Sequence, residues 1–530
     1  MHSLPGDQRY MSLPTLDVSQ ETQQELDREV RSHPEISSIQ SDVKKNWAVS
    51  EILFDSSIAH VTQNISAALN EKAFSGKSAA ELKEAGDEDY MKFYAKAEAE
   101  ADQLMKDHAE FAEREGVVKE DLLKELGKLW IYYRLTHPIL EQLEKSISRI
   151  EGSEATVAVP SGLSALDVLL DQYVKTPGLI KARNLKTGEE KELHGALLQH
   201  DEWKDWEFVD KIEPSQILIV GAVYGGSHQQ LVKRMEQRGI RTIFMPISKF
   251  IEEGAPDGTT FIINEISNNP ILRVSEMEKT SDEKKRLEEQ SGKRVHVISD
   301  NTFTTGTVRP LDHGADFVIN SATKYYSGRS EDMGGFISGS ASDLVPFLSL
   351  EYGERMVDGP VMSLSTVRNY LKNIQDLYER LYLATKNARA VKKIAEKYGL
   401  KVRHIESDDV PGYSDRYAKV KNPKIPDSIS NGMLMIDFES VENAFAVSDA
   451  LEDGGVGSSC VSLGGVHTYY CNPATTTHSE LSPEEQKKAT IKPGMLRMSC
   501  GIEEDLPSKF EEVCERLFPE REAVAVAAAV

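Results

Sequence analysis

The sequence predicts an α/β protein built on a mostly parallel seven-stranded sheet that helices cover on both faces. Short runs rich in apolar and β-branched residues alternate with helical stretches from Thr156 onward, which is typical of βαβ units. Several of these runs are apolar throughout, as are strands buried on both faces of a parallel sheet. The seven candidate strands begin near Thr156, Gln216, Arg241, Thr259, Arg294, Asp316 and Gly334.

The chain is too long for a single core. It has 530 residues, whereas one hydrophobic core seldom serves more than about 300. Shifts in composition predict an N-terminal helical extension at 1–118, a large domain at 119–370 and a smaller C-terminal α+β domain at 371–530. A charged segment at 174–214 interrupts the large domain between two strong strand signals, and we interpret it as an insertion.

Two segments outside the sheet have weaker structural signals. The N-terminal extension is polar with early prolines, and its helical character begins at about Ala80. From Tyr90 to Ala112, apolar residues recur at spacings of three and four, which predicts an amphipathic helix packed on the main body. In the insertion, the KTG triplet at 186–188 is expected in a solvated turn, because no SxxK nucleophile accompanies it.

Charge and cysteine content argue against several classes of partner. The 62 basic and 86 acidic residues give a net charge of −24, which repels nucleic-acid phosphates and anionic lipids. No apolar run approaches the roughly 20 residues that span a bilayer, and the N-terminus lacks the apolar region of a secretory leader. The four cysteines form no CxxC pair. We therefore expect a cytoplasmic protein without a nucleic-acid, membrane or metal partner.

The segment from Val297 to Gly339 is the most informative part of the chain. Lys324 directly follows an apolar strand and precedes a glycine-rich loop. An ammonium group in such an enclosed position loses hydration, so its pKa falls and it can form a Schiff base with an aldehyde. Asp300 ends another strand, where a buried carboxylate needs a cation. A protonated pyridine nitrogen would meet that need.

Four polar residues stand at or just after the ends of predicted strands, namely Ser161, Tyr224, Asp300 and Lys324. Ligands of open α/β sheets bind at the carboxyl ends of the strands, so position alone makes these residues candidates. At VPSGLSAL a strand ends and a helix begins, and the free N–H groups of a helix start favour a phosphate. This edge of the sheet is the expected site.

The motifs SDNTF, PLDHGADFVINS and SATKYYSGR together resemble the lysine region of the Cys/Met-metabolism, or trans-sulfuration, family of pyridoxal-phosphate enzymes. The resemblance runs from about Tyr132 to Phe518, apart from the insertion, and leaves the N-terminal extension uncovered. It implies fold type I with pyridoxal 5′-phosphate as cofactor. It also implies that Lys324 binds the cofactor, that Asp300 meets the pyridine nitrogen, and that Tyr224 in VYGGSHQQL stacks on the ring.

The same resemblance implies where the cofactor phosphate and the substrate bind. VPSGLSAL matches the family's SSGM motif, so Gly162 and Leu163 would supply backbone donors to the phosphate, and Ser321 and Thr323 would supply hydroxyls. The motifs VSLGG and MLRMSCGIEE match the family's SLGG and RxSxGxE signatures. Arg497 would then clamp the substrate α-carboxylate, since a guanidinium binds carboxylates in a bidentate fashion. Ser462 would line the same pocket.

The motif that begins YYRLTHP bears on assembly. It resembles the family's YxRxxNPTxxxLE, whose Tyr and Arg reach the phosphate of a neighbouring subunit. Tyr132 and Arg134 therefore imply a homotetramer made as a dimer of dimers. Some residues depart from the family's pattern here: His137 and Ile139 replace Asn and Thr.

Two further motifs also depart from the pattern. EISNNP at 265–270 matches ExPxNP with Ser267 in place of the first proline, and Asn269 would help to shape the cofactor loop. Arg329 and Glu331 replace the His and Asp of the family's GHSD. These departures weaken any assignment of substrate by analogy.

The expected reaction is γ-elimination or γ-replacement on a γ-substituted amino acid of the cystathionine or O-acylhomoserine class. Alternatives are a C–S lyase of the cystathionine β-lyase or methionine γ-lyase type, or a catalytically silent binding protein. The segment 225–227 lacks the cysteine common in methionine γ-lyases, which argues against that activity. Val461 stands where several cystathionine γ-lyases and γ-synthases have Glu, which argues against those activities. Leu463 stands where bacterial cystathionine β-lyases tend to have a bulky Trp, which favours γ-chemistry.

Overall fold

The computed structural model describes residues 16–55, 72, 77–128, 133–134, 137–348, 353–407, 413–479 and 482–519. In chain order the strands are β1 (Ala155–Val159), β2 (Leu179–Asn184), β3 (Glu190–His194), β4 (Trp206–Lys211), β5 (Gln216–Val220), β6 (Arg241–Met245), β7 (Phe261–Glu265), β8 (His296–Asp300), β9 (Phe317–Ser321), β10 (Gly335–Gly339), β11 (Lys401–Arg403), β12 (Met433–Asp437), β13 (Ser458–Ser459), β14 (Tyr469–Cys471) and β15 (Met495–Ser499).

The helices surround three sheets formed by these strands. They are α1 (Gln20–Leu26), α2 (Pro34–Leu53), α3 (Ala79–Glu84), α4 (Glu88–Asp107), α5 (Ala109–Glu115), α6 (Lys119–Leu126), α7 (Pro138–Glu151), α8 (Gly162–Tyr173), α9 (Gly225–Gln237), α10 (Ile247–Glu253), α11 (Met277–Ser291), α12 (Ala341–Leu344), α13 (Glu354–Val357), α14 (Leu364–Asn373), α15 (Leu377–Lys397), α16 (Tyr413–Val420), α17 (Val441–Asp453), α18 (Pro483–Lys488) and α19 (Leu506–Leu517). In the part of the chain that is described, none of them has the length and apolar character that a membrane crossing requires.

The central sheet has seven strands in the order β1-β10-β9-β8-β7-β5-β6. Strand β10 runs antiparallel to both of its neighbours, and the other pairs are parallel. Each of the seven strands predicted from the sequence corresponds to one of these strands, so the predicted mostly parallel sheet is confirmed.

Burial on both faces explains why these strands are apolar throughout. In β5, Ile217 and Ile219 pack into one apolar cluster, whereas Leu218 and Val220 pack into the cluster on the opposite face. Side chains alternate between faces along a strand, so a strand between two cores has no polar side. The carboxyl ends of β5, β7, β8 and β9 therefore emerge together from an interior that apolar clusters cover on both faces.

The N-terminal extension is helical from much nearer its start than the sequence indicated. Helix α1 begins at Gln20, not near Ala80, and α2 is buried along much of its length. The C-terminal end of α2 is fixed by a polar contact as well, because Glu51 forms an ion pair of 2.7 Å with Arg368 on α14. Where it is described, the extension thus packs into the main apolar core.

The amphipathic helix predicted from Tyr90 to Ala112 is two helices. The backbone leaves the helical conformation at His108, with φ −120° and ψ 21°, between α4 and α5. The His108 side chain is buried, and its Nε2 lies 3.4 Å from Asp55 Oδ2. No proline or glycine stands at this break between α4 and α5. The break instead coincides with the contact between His108 and Asp55, which is distant in sequence.

The insertion forms a small antiparallel sheet of its own, in the order β3-β2-β4. Ile180, Ala182 and Leu193 are buried beneath it, with Trp203 and Trp206 packed alongside. The expected turn at 186–188 joins β2 to β3, and Gly188 adopts φ 74° there. This sheet was not predicted from the sequence, which marked the segment only as an insertion.

The last third of the chain contains a five-stranded sheet in the order β11-β12-β15-β14-β13. Helices α15, α17 and α19 cover it, and residues such as Leu434, Leu496 and Phe510 form an apolar core between them. Strand β15 is central in this sheet and is fully buried, which holds Arg497 on a rigid element.

Candidate active site

A cavity of about 240 Å³ lies at the carboxyl ends of the central strands. The polypeptide brings to it side chains that follow β1, β5, β7, β8 and β9, together with Arg497 from the C-terminal sheet. Candidate residues named from the sequence that line this one cavity include Ser161, Gly162, Leu163, Tyr224, Asn269, Asp300, Ser321, Thr323, Lys324 and Arg497.

Lys324 lies in the turn that follows β9. Its Nζ donates a hydrogen bond of 3.4 Å to Ser462 Oγ, which brings Ser462 to the site. Among the described residues no carboxylate pairs with this ammonium group. Burial, and then the positive charge of Arg497, lowers the pKa of Lys324. At a given pH, Lys324 is therefore more often in its neutral, nucleophilic amine form than an ordinary lysine is.

Asp300 ends β8 beside the cavity. Its Oδ1 accepts a hydrogen bond of 2.9 Å from the Thr302 N–H, and burial raises the pKa of Asp300. Within the described part of the chain no basic side chain forms an ion pair with Asp300. A buried carboxylate without a cation is costly, so the site suits a ligand that offers a positive charge here.

Glu265 is a site residue that the sequence reasoning missed. It ends β7 and lies in register with Asp300 on β8. One of its oxygens accepts from the Tyr224 N–H, and the other accepts a bond of 2.9 Å from the Asn269 N–H. Burial, and then the negative charge of Asp300, raises the pKa of Glu265. The residue thereby fixes two loops that border the cavity.

Glu151 is a buried carboxyl group that contacts residues near Asp300 and Lys324 in the chain. It is fully buried at the end of α7, where it accepts hydrogen bonds from the Tyr326 hydroxyl and, at 3.0 Å, from Asn301 Nδ2. Asn301 follows Asp300, and Tyr326 comes two residues after Lys324. Burial raises the pKa of Glu151 to about 7. This one carboxyl group therefore ties together the two chain segments that present Asp300 and Lys324.

One end of the cavity is suited to a phosphate. Helix α8 begins there at Gly162 and has no acidic residue in its first turn. A Cβ at Gly162 would lie 2.8 Å from the Cβ of Ser321, so only glycine allows this close approach of the two segments. The hydroxyl of Thr323 accepts a hydrogen bond of 3.2 Å from the Gly334 N–H. N–H groups of a helix start beside hydroxyls form an anion site.

Arg497 also lines the cavity and is only 2% exposed. Its Nη1 donates to Asn269 Oδ1 at 3.2 Å, and its Nη2 donates to the main-chain oxygens of Val461 at 2.7 Å and Ser462 at 3.2 Å. Where the chain is described, no carboxylate neutralises this guanidinium. A buried, unneutralised arginine fits an anionic ligand such as a carboxylate.

Comparison with known proteins shows the family of this chain. The family model for "Cys/Met metabolism PLP-dependent enzyme" matches residues 207–512. The chain belongs to this family. It is therefore an enzyme that depends on pyridoxal 5′-phosphate, as the resemblance of its lysine region implied.

Individual relatives in the family are distant. A methionine gamma-lyase of Arabidopsis thaliana is 25% identical over 388 residues, which is 72% of this chain and 77% of that protein. The cystathionine beta-lyase MetC of Bacillus subtilis is 27% identical over 308 residues, which is 57% of this chain and 75% of that protein.

Solved structures show the shared fold. The cystathionine gamma synthase of Xanthomonas oryzae in complex with cystathionine matches with a TM-score of 0.59 at 20% identity, covering 74% of this chain and 88% of that one. The metB protein of Corynebacterium glutamicum matches with the same TM-score at 22% identity, covering 73% of this chain and 88% of that one. The predicted fold type I architecture is thus confirmed.

The residues present fit the family's cofactor. Pyridoxal phosphate has an aldehyde, a ring nitrogen and a phosphate, and the cavity offers Lys324, Asp300 and the start of α8 to these groups. Tyr224 lines the cavity and is 46% exposed, so a cofactor ring could reach its aromatic side chain. Residues Gly162, Leu163, Ser321 and Thr323 would hold the phosphate.

Two predicted residues, Tyr132 and Arg134, concern the neighbouring subunit. Tyr132 falls outside the described residues. Arg134 does not line the cavity, and its Nη1 donates to the main-chain oxygen of Met356 at 3.2 Å. The expectation that both reach a neighbouring subunit stays a prediction. His137 caps α7, because its Nδ1 accepts from the Ile139 N–H at 3.3 Å, so this departure from the family's Asn keeps a capping group.

Proposed function

We propose that this enzyme catalyses γ-elimination or γ-replacement on a γ-substituted amino acid of the cystathionine or O-acylhomoserine class. The observation that carries the proposal is the meeting of Lys324 and Arg497 in one cavity. The first offers an amine with a lowered pKa, and the second offers an unneutralised guanidinium. With the cofactor held at Lys324, an α-amino acid would react there through its own amine while its carboxylate met Arg497.

Lys324 would hold the cofactor covalently, and its amine, when free, would move protons at Cα and Cβ of the substrate. Pyridoxal phosphate, when bound, would supply the electron sink that makes these carbon-bound protons acidic. Asp300 would hold a proton on the ring nitrogen, and Tyr224 would stack on the ring. Arg497, with Ser462 beside it, orients the substrate by its α-carboxylate.

One side chain at the cavity supports γ-chemistry. Leu463 is 4% exposed at the cavity wall, and it is smaller than the Trp expected in a bacterial β-lyase, which leaves room for a longer substrate. Val461 lines the same cavity and is 54% exposed. Because several cystathionine γ-lyases and γ-synthases have Glu at this position, Val461 argues against those two activities and leaves the leaving group open.

The proposal extends to assembly and organisation. Tyr132 and Arg134 complete the phosphate site of a neighbouring subunit in a homotetramer, as the motif YxRxxNPTxxxLE of the family implies. The chain acts in the cytoplasm, and its three parts are 1–118, 119–370 and 371–530. The net charge of −24 supports an aqueous setting without nucleic acid or anionic membranes.

A C–S lyase of the cystathionine β-lyase or methionine γ-lyase type is the second candidate. It is favoured by the relatives named methionine gamma-lyase and cystathionine beta-lyase, each about one quarter identical to this chain. A methionine γ-lyase shares the γ-elimination step of the first candidate, whereas a β-lyase does not.

Product analysis separates these candidates. The purified holoenzyme is incubated with O-acetylhomoserine, cystathionine and methionine in deuterated water, with and without an added thiol, and products are identified by mass spectrometry. Elimination at Cγ yields 2-oxobutyrate with deuterium at Cβ, because a proton leaves and returns there. Pyruvate as the sole product, with every substrate that can react only at Cγ recovered intact, would refute γ-chemistry and leave a β-lyase.

A further inference from the structure

Ser267 stands out among the described residues that line the cavity. It is the one whose buried side-chain oxygen has no hydrogen-bond partner within the described chain. The residue is 2% exposed, so bulk water does not solvate the hydroxyl. Burying a hydroxyl without a partner is unfavourable, and native proteins seldom do so. The described chain therefore supplies no hydrogen-bond partner for this hydroxyl, and a bound ligand could supply one.

The local backbone does not require this hydroxyl. Ser267 forms an isolated bridge with Val274, and the turn between them is closed by main-chain hydrogen bonds of its neighbours. The Ser275 N–H donates to the Ile266 oxygen, and the Asn268 N–H donates to the Arg273 oxygen, both at 2.9 Å. The family motif ExPxNP has proline at this position, which has no hydroxyl. The group is thus a feature of this chain and not of the fold.

Ser267 lies in the loop between two residues that line the cavity. It lies two residues after Glu265, which is beside Asp300, and two residues before Asn269. Asn269 Oδ1 accepts from Arg497 Nη1, and Nη2 of the same guanidinium is engaged by two main-chain oxygens. Because part of the donor capacity of Arg497 is used within the protein, an anionic ligand gains from another donor nearby.

We propose that the Ser267 hydroxyl donates a hydrogen bond to an anionic oxygen of the bound ligand. A rotation about χ1 takes a serine hydroxyl between staggered positions at small cost, so the donor can turn toward the cavity. Two oxygens have this chemistry, the phenolate oxygen of the cofactor ring and a carboxylate oxygen of the amino acid. The inference rests on the proposed function, because that function brings both the cofactor and an amino-acid substrate to this cavity.

Ser267→Ala tests the inference, with Ser275→Ala as the matched control. Ser275 is also 2% exposed and belongs to the same segment, but its hydroxyl donates to the Glu265 main-chain oxygen at 2.6 Å and it does not line the cavity. Removing a satisfied hydrogen bond destabilises a protein, whereas removing an unpaired buried hydroxyl does not. We expect Ser275→Ala to lower the Tm of the apoenzyme and Ser267→Ala to leave it unchanged or raise it.

Two binding measurements identify the ligand oxygen. Equilibrium dialysis of apoenzyme against pyridoxal 5′-phosphate reports the cofactor, and titration of holoenzyme with pentanoate, followed by its absorption band, reports a carboxylate without an amine. Loss of one charge-assisted hydrogen bond weakens binding by about tenfold. A tenfold loss for the cofactor assigns the phenolate oxygen, and a tenfold loss for pentanoate assigns the carboxylate.

The inference fails if Ser267→Ala binds both ligands as the wild type does. It also fails if Ser275→Ala weakens binding equally, because the effect would then be a general disturbance of the loop. These outcomes are distinct from failure of the proposed function, in which the wild-type protein itself would not bind the cofactor through Lys324 or process any γ-substituted amino acid.

Discussion

Replacing Arg497 by lysine keeps the positive charge and removes the planar fork. The guanidinium holds three protein oxygens, at 3.2 Å on Asn269, 2.7 Å on Val461 and 3.2 Å on Ser462. A lysine ammonium has three donors on one nitrogen, so it cannot satisfy these acceptors and also bind a carboxylate in a bidentate fashion. At least one charge-assisted hydrogen bond to the substrate is lost, which costs about 1.5–3 kcal/mol.

This loss corresponds to a roughly 10- to 150-fold rise in KM, with a much smaller change in kcat, because the contact is made in both the ground state and the transition state. Steady-state kinetics on the substrate found in the product panel measure both constants, and the absorption spectrum checks that the cofactor is retained. Arg183→Lys is the control, since Arg183 pairs with Glu190 on the exposed insertion sheet. An Arg497→Lys enzyme with the wild-type KM would refute the assignment of the carboxylate site.

Three further predictions follow from the same geometry. Because burial raises the pKa of Glu151 to about 7 from an ordinary 4.5, the folded protein keeps a proton that the unfolded chain releases. The stability of wild-type apoenzyme relative to Glu151→Gln should therefore fall as pH rises through that range, and urea unfolding at pH 5 and pH 8 checks this; equal differences at both would contradict it. Since Tyr132 and Arg134 are proposed to complete a partner's site, activity per chain should fall on dilution together with the mass measured by light scattering, and a fully active monomer would exclude that role. Lys324→Ala should lose nearly all turnover, and a variant with more than a small residual activity would require another base.

The central sheet could be predicted from sequence because its strands are buried on both faces. After its first residue, Gln216, the run QILIV in β5 has no polar position, and the residue types alone indicate a parallel sheet covered by helices. The cavity followed from the same reasoning, since Asp300 and Lys324 stand where such strands end. Placing Arg497 there depended on motif similarity, because it comes from a different sheet.

Helix α2 was missed although the sequence contains a signal for it. Pro34 opens the helix, and Ile36, Ile39, Val43 and Trp47 recur at helical spacing and are all buried. The early prolines and polar composition of the extension masked that pattern. By contrast, the break at His108 could not be predicted, because its buried side chain contacts Asp55, which lies far away in the sequence.

Glu265 and Ser267 show what motif matching leaves out. The sequence showed Glu265 as the last residue of an apolar strand. It did not show that Glu265 accepts hydrogen bonds from the N–H groups of Tyr224 and Asn269, which lie in two different loops. Ser267 was recognised only as a departure from the family's proline. That its hydroxyl is buried without a partner depends on packing in three dimensions.

Reduction with borohydride followed by peptide mapping tests the central claim most directly. The reagent fixes the cofactor to whichever lysine binds it, and mass spectrometry of the digested protein locates the modified residue. Lys324 should carry the label, because burial and Arg497 lower the pKa of its amine at the cavity where Asp300 and the start of α8 also lie. A label on any other lysine, with Lys324 unmodified, would contradict the account.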